Sequence, residues 1–207
     1  MPSTGRDSEA RISLVDESQA GLLARLAFRE SRRRYGRVMD PARVMAHHPK
    51  ILVGVAALEL ASERARLVPA RLKHLAELRT AMIAGCEWCL DFGSAISAEA
   101  GVSEDDLREL ADYESSDRFS ELEKLVLDYA TGMSRSPVQV PGDMFGQLML
   151  HMGEAQLVEL TNIIALENYR ARFNWAFGLE SQGFCEGSYC VAPGGGHQLS
   201  GDEVEDA

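Results

Sequence analysis

Apolar residues recur at intervals of three and four through most of the chain, the spacing that gathers them on one face of an α-helix. No run alternates apolar and polar residues as a half-buried strand does. The periodic segments and the breaks between them predict an all-α fold. A first helix spans 17–35 and closes at Gly36. A short one from Pro41 to His47 stops before Pro49, and 50–64 forms the next. Pro69 opens a helix running to about Ala84, and 87–100 follows, ended by Gly101. Ser103 with Asp106 three residues on reads as a helix start for 104–112. Segments 119–133, 141–152 and 154–177 complete the set, the last broken by Gly178. In 154–177, Leu157, Leu160, Ile164 and Leu166 make a broad apolar face suited to a core or a subunit contact.

Composition narrows the class. With 207 residues, 45% apolar and 26% charged, the chain has the makings of one globular domain with a sizeable core. Residues 1–12 are polar and unpatterned, and 192–207 join Pro-Gly-Gly-Gly to an acidic end. Both read as flexible tails around a single all-α domain at 13–191. A net charge of −11 speaks against nucleic acid as a partner, because that affinity comes from cations neutralising phosphates. The run Arg32-Arg33-Arg34 is short and reads as a solvated helix face. No signal segment opens the chain, and the apolar run from Ile51 to Leu58 is far too short to span a bilayer, so a cytoplasmic protein that avoids membranes is expected. Four cysteines are too few for a disulfide-stapled scaffold; in a reducing compartment they serve catalysis, metal binding or packing.

The chemistry concentrates at Cys86-Glu87-Trp88-Cys89, directly after Ala84-Gly85 and at the start of a new helical segment. Thiols at i and i+3 of a helix face the same way and can reach disulfide distance. At a helix N-terminus, unpaired N–H groups and the dipole favour thiolate over thiol. A thiolate is the nucleophile of thiol–disulfide exchange and of peroxide reduction, so redox chemistry is expected. Trp88 and Phe92 are placed to wall the pair from water. Asp91, expected at the surface, is no activator, because a nearby carboxylate opposes thiolate formation.

The stretch LKHLAELRTAMIAGCEWCLDFGS, residues 72–94, resembles the carboxymuconolactone decarboxylase/alkylhydroperoxidase-D superfamily, and 155–179 resembles that family's last helix. The resemblance implies an all-α domain that assembles into homo-oligomers, trimers or hexamers, with each active site near a subunit boundary. Redox members carry Cys-x-x-Cys-x-x-x-His with a glutamate twelve residues before the first cysteine, and the glutamate and histidine relay protons to the second thiol. Cys86 and Cys89 match the two thiols. His74 stands at the glutamate position and Gly93 at the histidine position, so the relay is not matched.

The resemblance therefore implies a dithiol peroxidase or disulfide oxidoreductase reducing hydroperoxides, with Cys89 attacking, Cys86 resolving and His74 as a replacement base. Glu77, one turn along, competes for that last role. A lipoyl or thioredoxin-like dithiol protein would reduce the pair again, and neither cofactor nor metal is required. The alternatives are a non-redox enzyme of the family acting on a small lactone or acid, and a binding member without catalysis.

Other candidates read more blandly. Cys185 and Cys190 are a second dithiol able to relay electrons, part of a four-cysteine zinc site, or isolated thiols. His47 and His48 project about 100° apart on a helix and cap the preceding one better than they bind metal. Asn168, Arg170, Arg172 and Asn174 resemble a polar set that the family keeps near subunit contacts.

Overall fold

The computed structural model describes residues 10–193, so the two expected tails lie mostly outside the described residues. Among these residues, all regular structure is helical: α1 (Leu22–Tyr35), α2 (Asp40–Met45), α3 (Pro49–Arg64), α4 (Ala70–Ala84), α5 (Glu87–Ile96), α6 (Glu104–Glu109), α7 (Glu121–Ser134), α8 (Gly142–His151) and α9 (Glu154–Phe177). None of these helices is long and apolar enough to cross a membrane.

The boundaries differ from the sequence reading where a side chain competes for backbone groups. The segment expected to begin α1 at residue 17 is a turn, because the Asp16 carboxylate accepts from the Ser18 N–H (2.8 Å) and from its hydroxyl. The helix expected over 87–100 is α-helical only to Ile96 and tightens into a 3-10 turn at Ser97–Ala100. Ser103 and Ser120 cap α6 and α7 through reciprocal capping boxes, the first as the sequence pattern predicted. His48 caps the helix that follows it, its Nδ1 accepting from Ile51 N–H at 3.4 Å, and His47 meets the Ser13 carbonyl at 2.7 Å. The expected cap on the preceding helix is therefore corrected: Pro49 starts α3 immediately, so the His48 ring meets free N–H groups rather than carbonyls.

α4 is the central strut. Leu72, His74, Leu75, Ala76, Leu78, Arg79, Thr80, Ala81 and Met82 are all buried, leaving almost no solvent face. It packs against α5, α7 and α9. Two apolar clusters meet along it. One holds Leu75, Leu78 and Met82 with Leu90, Leu110, Tyr113 and Leu127; the other holds Leu72 and Ala76 with Leu148, Leu157, Leu160 and Ile164. The turn before α4 is fixed by Glu159 of α9, whose carboxylate accepts from Leu67 N–H (2.8 Å) and from the Lys73 ammonium (2.8 Å).

Where α3, α4 and α9 meet, one half-buried cation serves three acids. Arg170 pairs with Glu59, with Glu77 (2.8 Å) and with Glu167 (2.9 Å). Three carboxylates against one guanidinium leave excess negative charge, and Glu167 is the most buried of them, with its Oε1 unpaired. Burial, reinforced by Glu77 and Glu59, pushes its carboxyl up to about 7 despite Arg170.

Two expectations follow. Because Glu167 holds its proton in the folded state at pH values where the unfolded chain has lost it, stability falls as pH rises from the ordinary carboxylate range to about 7. Glu167→Gln should flatten that slope, which is worth up to about 3 kcal/mol, in denaturant melts across pH. In α7, a Cβ on Gly132 would lie 2.1 Å from the Gln139 carbonyl oxygen. Gly132→Ala should therefore cost about 1–3 kcal/mol in the same melts by pushing that loop off the helix.

Candidate functional site: a cysteine pair at the start of helix α5

α4 ends at Gly85, whose φ of +68° is a left-handed conformation that glycine adopts without a Cβ penalty. The chain turns so tightly there that Cys86 N–H still bonds the Ala81 carbonyl, at 3.0 Å. Trp175 of α9 locks the corner by donating its indole N–H to the Ala84 carbonyl, at 2.8 Å. Cys86 thus becomes the N-cap of α5, and its Sγ accepts from Cys89 N–H at 3.2 Å. The expected placement of the pair at a helix start is what the backbone shows.

The two sulfurs are joined as a disulfide, with Cα atoms 5.3 Å apart. Asn174 of α9 bridges them: its Nδ2 lies 3.6 Å from Cys86 Sγ and 3.5 Å from Cys89 Sγ. Asn174 is only 2% exposed, Cys86 2% and Cys89 7%, so Cys89 is the slightly more exposed residue of a buried pair. Sequence reasoning placed Asn174 among subunit-contact residues and missed this role. The available signal was its position in the row Leu157, Leu160, Ile164, Ala171, where a buried amide must find partners.

His74 is buried, and its Nε2 sits 3.0 Å from both the Gly93 carbonyl and Ser97 Oγ. The Gly93 oxygen can only accept, so Nε2 carries the hydrogen, an assignment made from the partners. Nδ1 points toward Glu77, at 3.9 Å. Burial lowers the imidazole's pKa, with Glu77 opposing, which favours a neutral ring at pH 7. Neither sulfur is among its hydrogen-bond partners; His74 reaches the pair through Gly93, one turn beyond Cys89. Glu77, the competing base, is held by Arg170. At Gly93 itself a Cβ would lie 2.9 Å from Leu78 Cδ2, so a side chain there requires core residue Leu78 to move.

The other flank of α5 is roofed by the segment after α9. Trp88 and Phe92 stack with centroids 5.4 Å apart, and Phe184 meets Phe92 edge-on at 5.3 Å. These rings therefore wall the strap side of the helix. Trp88 donates its indole N–H to Gln182 Oε1 at 2.7 Å. Asp91, expected at the surface, is buried: its carboxylate accepts from Gln182 N–H and Cys185 N–H, both at 2.8 Å. Cys185 and Cys190 form a second disulfide with Cα atoms 5.9 Å apart. The four cysteines thus make two pairs. Ligand-type atoms of Asp91, Cys185 and Cys190 lie within 4.8 Å of one another, but bonded sulfurs offer no thiolate.

Asp91→Ala strands the buried N–H of Cys185 and the half-buried N–H of Gln182. It should cost about 2 kcal/mol by thermal unfolding and speed amide exchange at Gln182 and Cys185.

Residues 49–131 match the model of the carboxymuconolactone decarboxylase family. The uncharacterized protein YnjA of Escherichia coli (strain K12) is 37% identical over 178 residues, covering 85% of this chain and 93% of the relative. Among solved structures, a cysteine-to-alanine variant of the debrominase Bmp8 in complex with 2,3,4-tribromopyrrole superposes with a TM-score of 0.73 at 22% identity, over 84% of this chain and 93% of that one. The alkylhydroperoxidase AhpD core of an uncharacterized peroxidase-related protein from Ralstonia eutropha JMP134 gives 0.73 at 17% identity, over 84% and 94%. With the helical order, the α4–α5 corner and the match in sequence together, the chain belongs to the carboxymuconolactone decarboxylase/alkylhydroperoxidase-D superfamily.

Proposed function

We propose that the protein is a dithiol oxidoreductase that reduces hydroperoxides through Cys86 and Cys89. The observation that carries this reading is the pair itself, closed as a disulfide at the N-terminus of α5 with hydrogen-bond donors on both sulfurs. In the reduced enzyme, the Cys89 thiolate attacks the terminal peroxide oxygen; the O–O bond breaks, alcohol leaves with a proton, and Cys89 becomes a sulfenic acid. Cys86 then attacks the Cys89 sulfur, forming the disulfide and releasing water. An external dithiol, on a lipoyl or thioredoxin-like protein, takes the disulfide back to two thiols. His74 contributes by pinning Gly93 and Ser97, and with them the helix that carries Cys89, rather than by touching a sulfur.

The same reading takes the protein as a homo-oligomer, as the family resemblance implies. Val158, 70% exposed, lines one groove with Phe145 and Met149, an apolar surface that a second copy would cover. A second reading, a non-redox enzyme acting on a small lactone or acid, is favoured by His74 and Gly93 standing in the relay positions. The likeness to a debrominase names another electrophile for the same thiols, a carbon–bromine bond.

The test follows disulfide formation in the reduced full-length protein on adding hydroperoxide, in the wild type and in Cys89→Ser. Peroxide-dependent oxidation lost in the variant is the expected outcome. Equal consumption by both rejects the peroxidase assignment, and lactone turnover retained in a Cys86→Ser/Cys89→Ser double variant favours the second reading. Adding a bromopyrrole in place of peroxide reads the remaining electrophile by the same disulfide.

A further inference from the structure

The missing relay leaves open what poises the pair, and the hydrogen bonds around the two sulfurs are unequal. Cys86 Sγ accepts from Cys89 N–H at 3.2 Å and lies 3.6 Å from Asn174 Nδ2; Cys89 Sγ has Asn174 alone, at 3.5 Å. The backbone donor belongs to the N-cap geometry of α5, with Cys86 at the point where the unpaired helix N–H groups converge and Cys89 one turn inside. Charged groups on the surrounding helices have other partners. Arg79 of α4 bonds Thr131 and lies over the Tyr113 ring. Arg170 of α9 is held by three glutamates, and Asp91 of α5 by the strap. Glu87, in the first turn of α5, is exposed. Among the described residues, no charged side chain hydrogen-bonds either sulfur.

We propose that Asn174 and the N-terminus of α5 together poise the pair without a proton relay, holding Cys86 as the resident thiolate and leaving group while Cys89, the less donor-rich sulfur on the more exposed residue, meets the external dithiol. The proposal rests on the dithiol reading of the site and assigns the division of labour within it. In the recycling step, a thiolate of the incoming dithiol attacks Cys89 Sγ. The Cys86–Cys89 bond breaks, and its electron pair leaves on Cys86, where Cys89 N–H and the Asn174 amide receive the charge. The donor's second thiol then attacks the mixed disulfide and releases Cys89, so one donor disulfide forms for each enzyme disulfide opened. In the forward direction, the Cys86 thiolate takes the proton of Cys89 as that sulfur attacks the peroxide, and Cys86 then closes onto the Cys89 sulfenic acid with loss of water. Asn174 touches both reacting sulfurs throughout and needs no change of protonation.

Isotope-labelled cysteine NMR of the reduced full-length protein, assigned with Cys86→Ser and Cys89→Ser, titrates the two thiols separately without requiring access to them. Cys86 is expected to ionise below the free-thiol value of about 8.5 and below Cys89. Asn174→Ala and the near-isosteric Asn174→Asp should each raise the Cys86 ionisation and slow opening of the disulfide by dithiothreitol about tenfold at neutral pH, the aspartate more strongly because it sets a charge against the thiolate. Cys89 ionising first in the wild type overturns the assignment whether or not the Asn174 variants fold. Folded variants with unchanged titration and opening overturn the role of Asn174. None of these measurements contains a hydroperoxide. Absent peroxidase turnover with the expected titration therefore removes the substrate class and leaves the division of labour standing, and the converse result does the reverse.

Discussion

The sulfur pair at the start of α5 keeps its geometry only if that helix start stays still, and this depends on the corner between α4 and α5. α4 is buried on nearly every side, so it cannot rotate without breaking both apolar clusters at once. Gly85 turns the chain in a left-handed conformation, and the Trp175 indole fastens the Ala84 carbonyl from α9. The orientation of Cys86 as N-cap, the short reach to Cys89 and the approach of Asn174 all descend from that fixed corner.

Substitution at the relay positions is not a simple loss. His74 and Gly93 meet: the imidazole bonds the glycine's carbonyl, and the glycine leaves room that Leu78 fills. The two positions form a packing contact between α4 and α5. On the proposed mechanism, stabilising a thiolate falls to uncharged donors, an amide side chain and a helix terminus, which act by geometry rather than by titration. Buried charge is instead concentrated one helical turn away, around Arg170, where three glutamates share one cation.

The strap after α9 gives the second cysteine pair a different task from the first. Its disulfide closes a short loop, the backbone N–H groups of Cys185 and of the flanking Gln182 and Val191 are received by Asp91 and Ser94 of α5, and its Phe184 packs on Phe92. α5 is thereby clamped between α4 and α9 on the face of its cysteines and the strap on its aromatic face.

Local signals in the chain determined the helices and their order, because 3.6-residue periodicity, serine caps and glycine stops act within a few residues of one another. They also marked Cys86 and Cys89, since two thiols three apart behind a glycine need only the adjoining turn to come together. The start of α1 was misread because Asp16 binds the Ser18 backbone, a competition that periodicity does not register. Asp91 looked solvent-facing because its partners, Gln182 and Cys185, lie some ninety residues away in sequence. The same distance hid Asn174. Glu167 and Asn174 continue the buried row of α9, so the sequence could show that polar groups fall on an apolar face. Glu167 meets Arg170 one turn along the same helix, but only the packing of α9 against α3 and α4 added Glu59 and Glu77 to that arginine, and only its packing against α5 set Asn174 on two sulfurs, because such partners are settled by the element placed opposite.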